Sequence, residues 1–91
     1  MRIARRYLVE GRVQGVGFRF FTREAAMREG IAGWVRNTPE GQVEIVAEGE
    51  SESMVRFEHA IRHGPPRARV EAVRTEGQLP SGDYQWFTVE G

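Results

Sequence analysis

Gly15 and Gly17 stand one residue apart and are followed at once by Phe18 and Arg19. Glycines so placed permit backbone angles that other residues resist, so successive N–H groups can point inward, with the positive end of a helix behind them. Arg19 would add a planar, permanently charged fork that matches two oxygens of one anion. Together these groups could hold an oxyanion such as phosphate without a metal. Taken alone, the same residues also read as a plain turn with one of thirteen solvated arginines behind it, since glycine loops are common. Further along, Asn37 offers a neutral carboxamide that can accept from a water and donate to a neighbour. On its own it reads better as a turn residue capping the bend before Thr38 and Pro39.

The rest of the composition removes most other chemistry. Thirteen arginines balance thirteen acidic residues in a 91-residue chain, so no basic field draws in a polyanion and no nucleic-acid partner is expected. Lys is absent, which excludes a Schiff base and a P-loop lysine, and with no Cys there is no thiolate nucleophile, disulfide or cysteine-ligated zinc. His59 and His63 are four apart on one helical face but have no evident third ligand, so no metal or cofactor is expected. Trp34, Trp86, Phe18 and Phe20 could be imagined as a base-stacking platform, but the aromatic-rich pattern of RNA-binding sheets is missing. The opening Met1-Arg2-Ile3-Ala4-Arg5-Arg6 lacks a signal-peptide apolar run, and no stretch reaches the roughly 20 apolar residues of a membrane helix. A cytoplasmic, membrane-free monomer is the expectation, built as one domain over residues 1–91 around one core.

The elements that must carry these residues follow from periodicity. Tyr7, Val9, Gly11 and Val13 alternate with Arg6, Leu8, Glu10 and Arg12, the period of a half-buried strand. A helix over Phe18 to Glu29, with Phe21, Ala25 and Ala26 facing the core, ends at Gly30, placed like a C-cap. Gly33 to Asn37 form a second strand, and Thr38-Pro39-Glu40-Gly41 suit a type I turn into a third, where Val43, Ile45 and Ala47 face one side. Ser51 is placed to cap a second helix with an apolar stripe of Met54, Phe57 and Ile61, stopped by Gly64-Pro65-Pro66. Ala68, Val70 and Ala72 alternate as a fourth strand, with a bulge expected near Val73, and Tyr84 to Val89 form a short last strand. The order predicts an α+β, ferredoxin-like (βαββαβ) sandwich, two helices on one face of a four- to five-stranded, mainly antiparallel sheet. In that topology the first two strands run the same way, so the glycine loop and Asn37 lie at one sheet edge.

At this point two blocks become recognisable. Gly11-Arg12-Val13-Gln14-Gly15-Val16-Gly17-Phe18-Arg19 resembles the first signature of the acylphosphatase family. Gly33-Trp34-Val35-Arg36-Asn37, followed by Gly41-Gln42-Val43 and Gly49, resembles the second. The likeness spans essentially the whole chain and implies the same fold. It implies further that Arg19 matches the family's phosphate-binding arginine and Asn37 its water-orienting asparagine. The backbone amides of Gln14, Gly15, Val16, Gly17, Phe18 and Arg19 match its phosphate cradle. Two departures stand out: Glu29 replaces the usual apolar residue before glycine, and the chain ends in Val89-Glu90-Gly91 rather than with a basic or aromatic residue near its terminus. The first is expected to touch helix packing and the second the rim of the site, where an acidic tail can alter substrate affinity.

The activity implied is hydrolysis of acyl phosphates, the substrate being a small-molecule carboxyl-phosphate anhydride and one product inorganic phosphate. A carboxylate of low pKa leaves without a proton, so what remains is to gather the phosphoryl oxygens and hold a water in line. The resemblance implies a substrate phosphate oxygen as the proton acceptor, with a slower solvent-assisted route as the alternative, and the lack of His and Cys in both blocks fits that reading. The rival reading is a non-catalytic relative that binds a small anion on the same fold; retention of both Arg19 and Asn37 argues against it.

Overall fold

Apolar residues spaced two apart along the first strand and positive-φ glycines at the turns account for how this chain turns back on itself, as a computed structural model describing residues 1–91 shows. The elements are β1 (Arg2–Arg12), α1 (Phe18–Glu29), β2 (Ala32–Asn37), β3 (Val43–Glu50), α2 (Ser51–His63), β4 (Arg69–Gln78) and β5 (Phe87–Val89). Tyr7, Val9, Val35 and Ile45 are fully buried on the face that the helices cover. Met54, Phe57 and Ile61 of α2 press onto it, and fifteen buried residues form a single core. Gly30 closes α1 in the left-handed conformation, and the Ile31 amide donates to the Ala26 carbonyl at 2.9 Å, the bond that turns the chain directly into β2.

The five strands lie in the order β4-β1-β3-β2-β5. β3 is antiparallel to both β1 and β2, so these two run parallel on either side of it, and β5 adds to β2 as the one parallel pair. Val9, Val43 and Asn37 stand in one row across β1, β3 and β2. The chain leaving β1 therefore passes beside the end of β2, which is the juxtaposition that the ferredoxin-like order requires.

The structure adjusts several details. Thr22, not Phe21, takes the inward position on α1: it is buried, its hydroxyl donates to the Phe18 carbonyl at 2.9 Å, and Phe21 is half-buried beside Phe18. Bonding to its own helix is what lets a hydroxyl sit there. Ser51 is the first residue of α2 rather than its cap; Glu50 precedes it in extended conformation, and the Ser51 amide donates to the Met1 carbonyl. The bulge in β4 falls at Glu71, where the register against β1 steps from Glu10–Ala72 to Gly11–Val70. Only Phe87–Val89 of the expected last strand pair as one. Among the aromatics, Phe18 belongs to the core, whereas Phe20 and Trp86 are exposed. No helix is long and apolar enough to cross a membrane.

On the helix-free face, alternation alone would leave Glu44 and Glu48 solvated, yet both are buried. Glu44 accepts from Arg6 of β1 and from Arg36 of β2, each at 2.6 Å. Burial alone would raise its pKa; the two guanidiniums outweigh that and hold it below the ordinary carboxylate value. Glu48 is likewise pushed up by burial but held low overall, by donors from Ser81 and Gly82 and by the charge of Arg2. A folded-state pKa below the unfolded one contributes stability that is complete above the unfolded value and lost as pH falls through the folded value. Urea midpoints should thus fall as the pH drops below the ordinary value of 4.5, and Glu44→Gln should flatten part of that decline.

Candidate functional site

The connection from β1 to α1 passes through Gly15 at φ 73° and Gly17 at φ 78°. A Cβ at either would meet nothing within 4 Å, so glycine is required there by conformation and not by space. Gly17 is the N-cap of α1, and the Phe21 amide donates to its carbonyl at 3.0 Å. No side chain caps this helix start, and no acidic residue lies in its first turn. The amides of Gly17 through Phe20 are thus the helix's unpaired donors, and its positive end is not neutralised.

Val13, Gly15, Gly17, Phe18, Arg19, Phe20 and Asn37 line one cleft of about 140 Å³. It joins the start of α1 to the last residue of β2, so Arg19 and Asn37 face a common space although a full helix separates them in sequence. Gln14 and Val16, expected in the same cradle, do not line it. Val16 is half-buried and packs against the core.

Gln14 instead braces the loop. Its side-chain amide donates to the carbonyls of Thr38 at 2.9 Å and Gln42 at 2.8 Å. Those two residues close the β2–β3 hairpin: the Thr38 amide donates to the Gln42 carbonyl, and the Gly41 amide to the Thr38 carbonyl at 3.2 Å. The Thr38 hydroxyl accepts from the Gln42 amide at 3.1 Å, and the Gln42 side chain donates to Glu10 of β1 at 2.9 Å. Asn37 is adjacent to Thr38, so the brace fixes the glycine loop against the strand end that carries the carboxamide. Spacing gave no sign of this; a side-chain amide inside a glycine loop, opposite a hairpin mouth, is visible only in three dimensions.

Arg19 is half-buried, and one of its terminal nitrogens donates to the Glu90 backbone carbonyl at 3.0 Å. The C-terminal tail, expected at the rim, thus reaches Arg19 itself. The other departure, Glu29, accepts from Arg56 at 2.8 Å and so ties α1 to α2. A larger cleft of about 240 Å³ lies where Trp34, Trp86, Thr88, Asp83 and Glu90 meet. It offers no guanidinium or free helix amides and is flanked by acidic residues, so it does not suit an anion. His59 and His63 are both exposed on α2.

The family model described as Acylphosphatase matches residues 5–89. An acylphosphatase of Koribacter versatilis is 45% identical over 87 residues, covering 96% of this chain and 79% of its own length. One from Gloeobacter violaceus is 54% identical over 74 residues, covering 81% of this chain and 80% of that protein. The crystal structure of acylphosphatase from Bacillus subtilis superposes with a TM-score of 0.94 at 35% identity, covering 98% of this chain and 99% of that one.

Gln14→Ala keeps the loop backbone but deletes two hydrogen bonds between loop and hairpin. At about 0.5–1.5 kcal/mol each, the expected loss is about 1–3 kcal/mol in urea unfolding. Turnover of acetyl phosphate should fall with it, because Asn37 is no longer held at a fixed distance from the loop.

Proposed function

The chain belongs to the acylphosphatase family, hydrolases that split acyl phosphates into a carboxylate and inorganic phosphate, and from that premise we propose how its own residues divide the work. Arg19 and the free amides at the start of α1 bind the phosphoryl oxygens, and Asn37 orients the water. The observation that carries this reading is the single cleft lined by the glycine loop, Arg19 and Asn37.

The division follows from what the reaction lacks. The leaving carboxylate needs no proton, so a general acid would add little. Charge builds on the equatorial phosphoryl oxygens as the bond to the leaving group loosens, and preorganised donors aimed at those oxygens stabilise it without reorganisation. Here those donors are backbone N–H groups fixed by two left-handed glycines and a guanidinium steadied by the Glu90 carbonyl. Because fixed amides and Arg19 supply the positive charge, the step needs no metal. Asn37 accepts a hydrogen bond from water and stays neutral, and the proton passes to a phosphoryl oxygen of the substrate. Gln14 and Val16 lie outside the cleft, and the Gln14 side chain sets the spacing between the loop and Asn37.

The same reading makes residues 1–91 one domain, supported by the single continuous core. It also takes the protein as a cytoplasmic monomer acting on small acyl phosphates, and the balanced charge supports the absence of a nucleic-acid partner.

Phosphate release from acetyl phosphate tests the assignment. Asn37→Ala should lower kcat by about 10²-fold or more while inorganic phosphate still inhibits competitively. Arg19→Ala should abolish both hydrolysis and phosphate inhibition. Wild-type turnover in a folded Asn37→Ala protein, or undiminished phosphate inhibition in Arg19→Ala, would overturn the corresponding role.

A further inference from the structure

β4 and β5 lie at opposite edges of the sheet, so the segment joining them, Leu79–Trp86, has to cross it. It leaves from Gln78, which shares a row with Ala4, Glu48 and Ala32 at the sheet end remote from the cleft. There it is fastened at one point. The Glu48 carboxylate accepts from the Ser81 hydroxyl at 2.6 Å and from the Ser81 and Gly82 amides at 3.1 Å each. Arg2 stands 3.9 Å away, and the Glu48 side chain is only 3% exposed. A buried ionised acceptor with three donors from one segment is a strong tether, since such bonds are about twice as strong as neutral ones. By contrast, the segment itself is largely exposed, Leu79 at 91%, and contributes little packing of its own.

What the tether holds is the start of a three-residue strand. The Gly33 amide donates to the Trp86 carbonyl at 3.1 Å; β5 then pairs with β2 through Phe87, Thr88 and Val89; and the Glu90 amide donates to the Val35 carbonyl at 2.8 Å. The next group along is the Glu90 carbonyl that accepts from Arg19. The buried Phe87, edge-on to Phe57, sets which face of this short ladder turns inward; the residues before it are mostly exposed, so the Glu48 tether is what holds the chain that enters the strand. We infer that Glu48, through Ser81, Gly82 and β5, is a positioning residue for Arg19, acting from the far end of the sheet. Glu48 is five residues along β3 from Val43 in the Asn37 row, which at strand rise is about 17 Å. Asn37 and the Gln14 brace do not lie on this path, so the influence falls on phosphate binding and not on the attacking water. This rests on Arg19 as the phosphate ligand.

The test compares KM for acetyl phosphate, the inhibition constant of inorganic phosphate, and kcat. Glu48→Gln removes the charge and turns one acceptor oxygen into a donor facing donors. Residues acting on a site at a distance typically shift it by about 2- to 30-fold. KM and the phosphate inhibition constant should therefore both rise within that range, and because Arg19 also serves the transition state, kcat should fall by no more than the same factor. Ser81→Ala, which keeps both amide donors, should give a smaller rise of the same kind, and Ser81→Thr should restore wild-type values. If Glu48→Gln does not fold, the two Ser81 variants decide alone. Folded variants that melt earlier but keep wild-type KM and phosphate inhibition would reduce the tether to a purely structural one and overturn the inference. Arg19→Ala run in parallel separates the two readings. If it loses phosphate inhibition while Glu48→Gln does not, the tether fails and the Arg19 role stands. If it keeps phosphate inhibition, both fall.

Discussion

Two hydrogen bonds from one side chain, Gln14, join the glycine loop to the mouth of the β2–β3 hairpin, and the site has its shape because of them. The loop alone could present amides and Arg19 in many orientations. The hairpin alone could carry Asn37 at any distance from them. Fold topology brings the two near, since β1 and β2 run parallel with β3 between them. The carboxamide then fixes the spacing at hydrogen-bond precision, the scale on which positioning of reactants matters.

The same arrangement sorts charge across the molecule. On one side, α1 opens without an acidic residue, and Gly17, Phe18, Arg19 and Phe20 at its start line the cleft. On the helix-free face, carboxylates are buried only where arginines or amides surround them. Glu44 is held between Arg6 and Arg36, and Glu48 by the crossing segment. Glu44 thereby joins β3 to both neighbouring strands, and Glu48 joins β3 to the crossing segment. Removing one partner would leave a buried charge uncompensated, a large effect compared with an exposed ion pair.

Much of this was legible in the residues. Alternation in β1 and β3, the left-handed Gly30 and the Gly64-Pro65-Pro66 stop gave the element order, and α1 runs from Phe18 to Glu29 as its pattern predicts. The meeting of Arg19 and Asn37 followed from topology once that order was known. What periodicity could not show was side-chain partnership between distant segments: Thr22 turning inward by bonding its own helix, Glu48 buried by a loop from the other edge, and the terminal Glu90 carbonyl resting on Arg19. Each depends on where a chain segment arrives after crossing the fold, and local sequence does not record that.

The most direct test of the central claim, that the glycine loop and Arg19 form the phosphate site beside Asn37, is amide NMR during titration with inorganic phosphate. The account predicts saturable shifts centred on Gly15 to Phe20 and on the Arg19 side chain, with a smaller response at Asn37 and none at the cleft formed by Trp34 and Trp86. Saturable shifts centred on that second cleft, or none in the loop at phosphate concentrations that inhibit hydrolysis, would contradict it.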